Sequence, residues 1–200
     1  GAIAVGMAVM KFKTRPKELS RLQAAASVGQ HFLMSSYSRS FHKYSLECGQ
    51  LLLTWEDFDE RQRYLNAKNT LLTLLGLGIV PIINENDTVS TSEIRFGDND
   101  RLSALVSIML SADLLIILSD VDGLLDKEKN VIPLVDTITP EIRACACPTK
   151  KHTCVGGMIT KIEAAQIATD SGIACVIANG TTKDILQKVI AHPQGYGTAF

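Results

Sequence analysis

Aromatic residues are scarce in this chain: they make up 6% of it, with a single tryptophan, and they do not interleave with its basic residues. Charge of one sign is lacking as well, since 20 basic residues stand against 21 acidic ones for a formal charge of −1. Together these exclude an electrostatic case for nucleic acid or an anionic membrane as partner. No run reaches the roughly eighteen uncharged apolar residues that a bilayer-spanning helix needs. Cysteine is sparse and odd in number: Cys48, Cys145, Cys147, Cys154 and Cys175. That argues against a disulfide framework and predicts a reducing, cytoplasmic setting. The opening GAIAVGMAVM has no basic region ahead of an apolar stretch, so it does not read as a signal peptide. It starts in mid-pattern, as a chain that has lost its beginning would. No GxGxxG follows a strand, which leaves a Rossmann dehydrogenase weakly supported.

Repeats, low-complexity tracts and Pro/Gly/Ser linkers are also missing. What is present is an alternation of two hydrophobic periods over 200 residues, 46% of them apolar, enough for a sizeable core. Helical spacing runs from Glu18 to about Tyr44, where Leu22, Ala25, Ala26, Phe32, Leu33 and Tyr37 fall on one face. Ser45–Thr54 reads as a strand. Trp55 to about Leu75 reads as one helix, ended by Gly76 and Gly78. Ile79–Ile83 is a short buried strand, followed by a polar excursion with room for a hairpin. A helix from about Asn99 to Ala112 leads to the apolar strand Asp113–Leu118. An irregular, Lys- and Thr-rich region follows. Gly156–Gly157 opens a helix over about Met158–Ser171, and then come a strand at Ile173–Ala178 and a helix at Thr182–Ile190. Short, wholly apolar strands separated by helices predict a parallel sheet covered on both faces. Such sheets place their sites beyond the carboxyl ends of the strands. That rule singles out the polar residues after Ile83, Leu118 and Ala178, and the glycine turn before Met158.

Four constellations lie in those places. Asn84-Glu85-Asn86-Asp87 follows IVPII without a gap and offers amides and carboxylates to a small polar ligand; a plain turn is the competing reading. Gly97-Asp98-Asn99-Asp100 opens a helix. One cap needs one such side chain, so a surplus carboxylate is available to orient a lysine or to sit near a metal–phosphate complex. Ser119-Asp120-Val121-Asp122-Gly123 follows DLLIIL and can meet a nucleotide, or be a turn that ends in Asp-Gly. Val155-Gly156-Gly157-Met158-Ile159-Thr160-Lys161 places two glycines at a helix start, where backbone N–H groups approach a phosphate and Lys161 adds a full charge. Its spacing is not that of the GxxxxGK[ST] P-loop. Two further clusters read as decoys. Cys145, Cys147, His152 and Cys154 match zinc-ligand spacing poorly. Lys11, Lys13, Arg15, Lys17 and Arg21 read as a solvated loop entering a helix.

In this order the blocks INENDTVSTSEIRFGDND, LLIILSDVDGLLDK and VGGMITKIEAAQIA resemble the glutamate 5-kinase family, and GAIAVGM, LLLTWEDFDERQRYLNA and VIANG fit it too. The likeness covers nearly the whole chain. The NEND/GDND pair with the GGMxTK turn separates this group from relatives acting on acetylglutamate, aspartate or nucleoside monophosphates.

The resemblance implies an α/β amino acid kinase (carbamate kinase-like) fold, a three-layer α/β/α sandwich with a mainly parallel sheet, over residues 1–200. It implies transfer of the γ-phosphoryl group of ATP, with Mg2+, to the side-chain carboxylate of L-glutamate. That is the first step of proline biosynthesis, and proline is the common feedback inhibitor. It also implies a cytoplasmic homo-oligomer. By the same resemblance Asp87 and Asn99 contact glutamate, and Asp98 lies beside glutamate and metal. Ser119 and Asp120 contact ATP. Val155, Gly156, Gly157, Met158, Ile159, Thr160 and Lys161 run along the phosphates. Lys161 stabilises the transferring group, and Asp100 holds the catalytic lysines. No residue of the chain is assigned as a direct metal ligand.

Three features depart from the family pattern. The lysine-glycine strand and the serine-ending glycine turn that precede GAI are not in this sequence. Val155 stands where a small hydroxyl residue is frequent. The C-terminal RNA-binding-like (PUA) domain of some members is missing. The sequence therefore predicts an amino acid kinase domain without its N-terminal portion, poorly active alone because one of two cationic clamps is gone. A non-catalytic nucleotide- or amino-acid-binding fragment is the alternative from another class. The spatial expectation is that Asp87, Asp100 and Lys161 meet at one rim.

Overall fold

The computed structural model describes residues 1–89, 99–146 and 157–200. It divides into two compact units, 1–97 and 98–200, each described by itself.

The first unit opens on a helix that the sequence reading does not assign, α1 (Ala2–Val9). It packs on α2 (Leu19–His42), the long helix expected from Glu18 to Tyr44. The crossing is close because small residues meet there. A Cβ added at Gly6 would lie 1.7 Å from the Ala25 carbonyl oxygen, and one at Gly29 would lie 1.8 Å from that of Ala2. Ala2, Leu22, Ala25 and Ala26 are buried.

Strand β1 (Cys48–Leu53) pairs in parallel with β2 (Val80–Glu85), with Leu51 opposite Ile83 and Leu53 opposite Glu85. Between them the sequence predicts one helix, but two are present, α3 (Glu56–Asp59) and α4 (Arg61–Gly76). Glu60 separates them. Its backbone is extended, and its carboxylate accepts from the N–H groups of Gln62 and Arg63, capping α4. Asp57 fastens the entry to this pair, accepting from the Thr54 N–H at 2.6 Å and from Arg63 Nε at 2.7 Å. Burial pushes the Asp57 carboxyl up, but the Thr54 and Arg63 donors outweigh it and hold it below the usual carboxylate range. Gly78 leaves α4 at φ +72, a conformation that a Cβ would strain.

The second unit holds α5 (Asn99–Leu110), β3 (Leu114–Ser119), α6 (Pro140–Cys145), α7 (Met158–Asp170), β4 (Ala174–Asn179), α8 (Ile185–Ala191) and β5 (Thr198–Ala199). β3 and β4 run parallel, Leu115 opposite Cys175 and Ile117 opposite Ile177, and β5 adds antiparallel to β4. Side chains alternate across this sheet as its pleat requires. Leu115, Ile117, Cys175 and Ile177 pack with Ala104 of α5 and with Ala164, Ala165 and Ala168 of α7. Leu114, Ile116, Val176 and Ala178 face the other way, against Ile185 and Val189 of α8. Helices thus cover both faces, which explains why these strands read as continuous apolar runs.

The stretch expected to be irregular is partly ordered. Leu125 bridges Val131 in antiparallel sense across a turn closed by Asp126, which accepts from the Asn130 N–H at 2.7 Å. Thr139 caps α6, whose first residue is Pro140, a start signal present in the sequence.

Candidate functional site

α5 and α7 pack against one another. Each begins with residues that the sequence singles out. Asp100 sits in the first turn of α5. On α7 the N-cap is Gly157, at φ +78; among the described residues no atom lies within 4 Å of where its Cβ would be and no side chain caps the helix. One turn in, Lys161 Nζ donates to Asp100 Oδ2 at 2.9 Å. Thr160 Oγ1 lies 2.9 Å from the same oxygen and 2.9 Å from the Gly157 carbonyl oxygen. The Lys161 and Asp100 side chains are 15% and 20% exposed, so the pair is shielded yet still open to a ligand. A helix N-terminus, a permissive glycine and a cation held by a carboxylate are together chemically suited to an anionic group. Beneath it Cys175 is inert as a nucleophile: burial, and next the Asp100 charge, push its thiol up to about 12.

Ser119 ends β3 and Asp120 follows it, beyond the carboxyl end of the strand as expected, with Ser119 Oγ 3.3 Å from Asp120 Oδ1. The loop they begin is pinned at three points. The Gly180 N–H donates to the Ser119 carbonyl at 2.8 Å. Asn179 Nδ2 donates to Asp122 Oδ1 at 2.8 Å. The Leu124 N–H donates to the fully buried Thr198 hydroxyl at 2.8 Å. Thr198 has no counterpart in the sequence reading, because its role arises only when the two-residue β5 pairs with β4. Past this loop lies a cavity of about 730 Å³ lined by Leu124, Leu125, Lys127, Lys129, Cys145 and Met158 among others. Its volume lies within the range of small-molecule sites.

In the first unit, Asp87 follows β2 and lines a small recess with Gln30, Glu85, Asn86 and Thr88. Burial raises the Asp87 carboxyl above the usual range, and the nearby Arg15 guanidinium works against that rise. A chain of amides supports this end of β2. Buried Asn84 donates through Nδ2 to Gln30 Oε1 at 3.0 Å, and Gln30 Nε2 donates to Gln50 Oε1 at 3.2 Å. Gln30 and Gln50 are absent from the expected site, since a lone Gln on a helix or strand carries no motif.

The structure therefore brings Asp100, Thr160 and Lys161 together, starts α5 at Asn99, and places Ser119 and Asp120 at a strand end. Met158 and Ile159 occupy the first turn of α7. Asp98, Val155 and Gly156 lie outside the described residues, as do Cys147, His152 and Cys154 of the zinc-like cluster. Among the described residues no three His, Cys, Asp or Glu side chains group closely enough to hold a metal ion. No helix among them is long and apolar enough to cross a membrane.

The sequence matches the amino acid kinase family over residues 1–179. It is 46% identical over 196 residues to a glutamate 5-kinase of Methylococcus capsulatus, covering 95% of this chain and 52% of that protein. It is 46% identical to the glutamate 5-kinase of Methanosarcina barkeri, covering 100% and 54%. It is 51% identical over 186 residues to that of Allorhizobium ampelinum, covering 90% and 47%. The chain spans about half the length of these curated relatives.

Proposed function

The chain belongs to the amino acid kinase family, and on that footing we propose that it supplies the phosphoryl-transfer site of a glutamate 5-kinase. In this reading the complete protein moves the γ-phosphoryl group of ATP to the side-chain carboxylate of L-glutamate. A carboxylate oxygen forms the new bond to phosphorus as the bond to the β–γ bridging oxygen breaks. ADP and an acyl phosphate result.

The observation that carries the reading is the Lys161 ammonium held 2.9 Å from Asp100 in the opening turn of a helix that begins at a glycine. Phosphoryl transfer leaves the protein little covalent work; position and charge accomplish nearly all of it. Lys161 meets the charge that develops on the transferring group. Asp100 keeps that ammonium from wandering. Gly157 lets the first amides of α7 approach phosphate oxygens. Ser119 and Asp120 contact the nucleotide, and the base and ribose occupy the cavity beside Met158. Asp87 and Asn99 bind the amino acid, with Asp87 accepting from its ammonium. Magnesium bound with the nucleotide would neutralise charge on its phosphates; Asp98 is the residue assigned beside it. Proline inhibition, self-association and a cytoplasmic location belong to the same reading.

The test is ADP release by the complete protein with ATP, magnesium and a panel of acids, with the acyl phosphate trapped by hydroxylamine. Glutamate should support turnover well above aspartate and acetylglutamate. Glutamate and ATP binding without turnover would replace the reading with a non-catalytic one.

A further inference from the structure

We infer that the Thr160 hydroxyl is a positioning group for Asp100, and through it for Lys161, rather than a donor to the nucleotide. The inference rests on the reading above for what Lys161 does, but its geometry is independent of it. A threonine hydroxyl has one proton. Two acceptors already claim it, Asp100 Oδ2 and the Gly157 carbonyl oxygen, both at 2.9 Å. Phosphate oxygens need donors. To serve a phosphate, Thr160 would have to withdraw the one proton that these two acceptors share. What remains on the hydroxyl is lone-pair capacity, which a phosphate cannot use.

The arrangement does use that proton locally. Thr160 and Lys161 converge on the same carboxylate oxygen, one from each of two successive residues of α7. A donor fixed to helix backbone on the same oxygen that Lys161 meets adds a restraint on the carboxylate's terminal torsion. The same hydroxyl lies 2.9 Å from the carbonyl oxygen of Gly157, the residue that begins the helix, so its single proton is shared between that carbonyl and Asp100. The turn that meets the phosphates and the carboxylate that holds the cation are therefore linked through one hydroxyl. If Asp100 shifts, the Lys161 ammonium shifts with it, and errors of about 1 Å in such a group cost about 100-fold in rate.

The experiment compares Thr160→Val, Thr160→Ala and Thr160→Ser in the complete protein by two measurements. The first needs no activity: competitive acylation of lysines, with the Lys161 peptide followed by mass spectrometry. Loss of the hydroxyl should speed labelling of Lys161 about fivefold or more relative to the other lysines, and Thr160→Ser should return it toward wild type. An unchanged Lys161 rate in Val and Ala overturns the inference. The second is steady-state kinetics. Val and Ala should lower kcat about 10- to 100-fold with KM for ATP within about twofold, and Ser should restore most of kcat. A rise in KM for ATP at unchanged kcat would make the hydroxyl a nucleotide contact and overturn the inference. So would Val and Ala variants that fail to fold where Ser folds, since the hydroxyl would then serve folding. A wild type without glutamate-dependent turnover would sink the functional reading while the labelling comparison still decides this one.

Discussion

Lys161 and Asp100 are 61 residues apart in the chain and 2.9 Å apart in space. Each lies in the first turn of its own helix, and those helices pack on the same face of the β3–β4 sheet. The pair is shielded enough for its charges to matter and open enough to meet a ligand. In a shielded site, removing one partner leaves the other charge uncompensated. The two single variants should therefore differ in kind.

On the proposed function, in which the ammonium acts on charge that develops in the transition state, Lys161→Ala in the complete protein should lower kcat about 1,000-fold and leave KM for glutamate within about threefold. Asp100→Asn should lower kcat less, since the cation stays but loses its hold. Steady-state kinetics with varied glutamate checks both. A large rise in the glutamate KM for Lys161→Ala would put the lysine in acceptor binding instead.

Asp87 supplies a pH test with a definite sign. Burial raises its folded pKa, so the folded chain holds that proton more tightly than the unfolded chain does. The group's contribution to stability is fully present below the unfolded carboxyl pKa of about 3.9 and is lost as pH rises through the folded value. Asp87→Asn removes that loss. Its melting temperature should exceed wild type at pH 7, and the difference should close as pH falls toward 4. The same variant should raise the glutamate KM about tenfold or more, since a charge-assisted contact disappears. A variant less stable than wild type at pH 7 would contradict the first expectation.

Thr198→Val should loosen the loop after β3 from a distance. The buried Leu124 N–H would lose its acceptor, at a cost of about 1–3 kcal/mol. Denaturant unfolding measures that cost. Nucleotide affinity, measured by calorimetry, should fall as well, because Asp120 and the cavity wall at Leu124 share this loop.

Gly29→Ala tests the α1–α2 crossing. A methyl group there would sit 1.8 Å from the Ala2 carbonyl oxygen, which is backbone and cannot step aside. The helices must separate, and the cost should be about 3 kcal/mol or more. Gly76→Ala, with open space around it, is the matched control and should be nearly neutral. A Gly29→Ala protein that melts like wild type would mean the crossing relaxes freely.

Several elements were legible in the residues alone. Strands IVPII, DLLIIL and IACVIA stand within a residue or two of their expected places; for the last two, burial on both faces leaves an uninterrupted apolar run. The helix from Glu18 was clear from its spacing. The break at Glu60 was not, since glutamate seldom caps a helix and the apolar period continues across it. Strand β5 was hidden because two residues carry no period. The hairpin closed by Asp126 was hidden for a related reason: its signals are one side-chain bond and a lysine at φ +67, not a pattern.

By itself, the sequence determined the kind of fold and which polar loops follow the strands, since hydrophobic period and polar punctuation are local properties that burial reads directly. It also supplied the family resemblance, through motifs whose order needs no coordinates. Only the tertiary structure decided which of those polar groups meet. Asp100 accepts from Thr160 as well as from Lys161, and Leu124 leans on Thr198, because hydrogen bonds depend on ångström distances between residues far apart in the chain, and helix packing sets those distances.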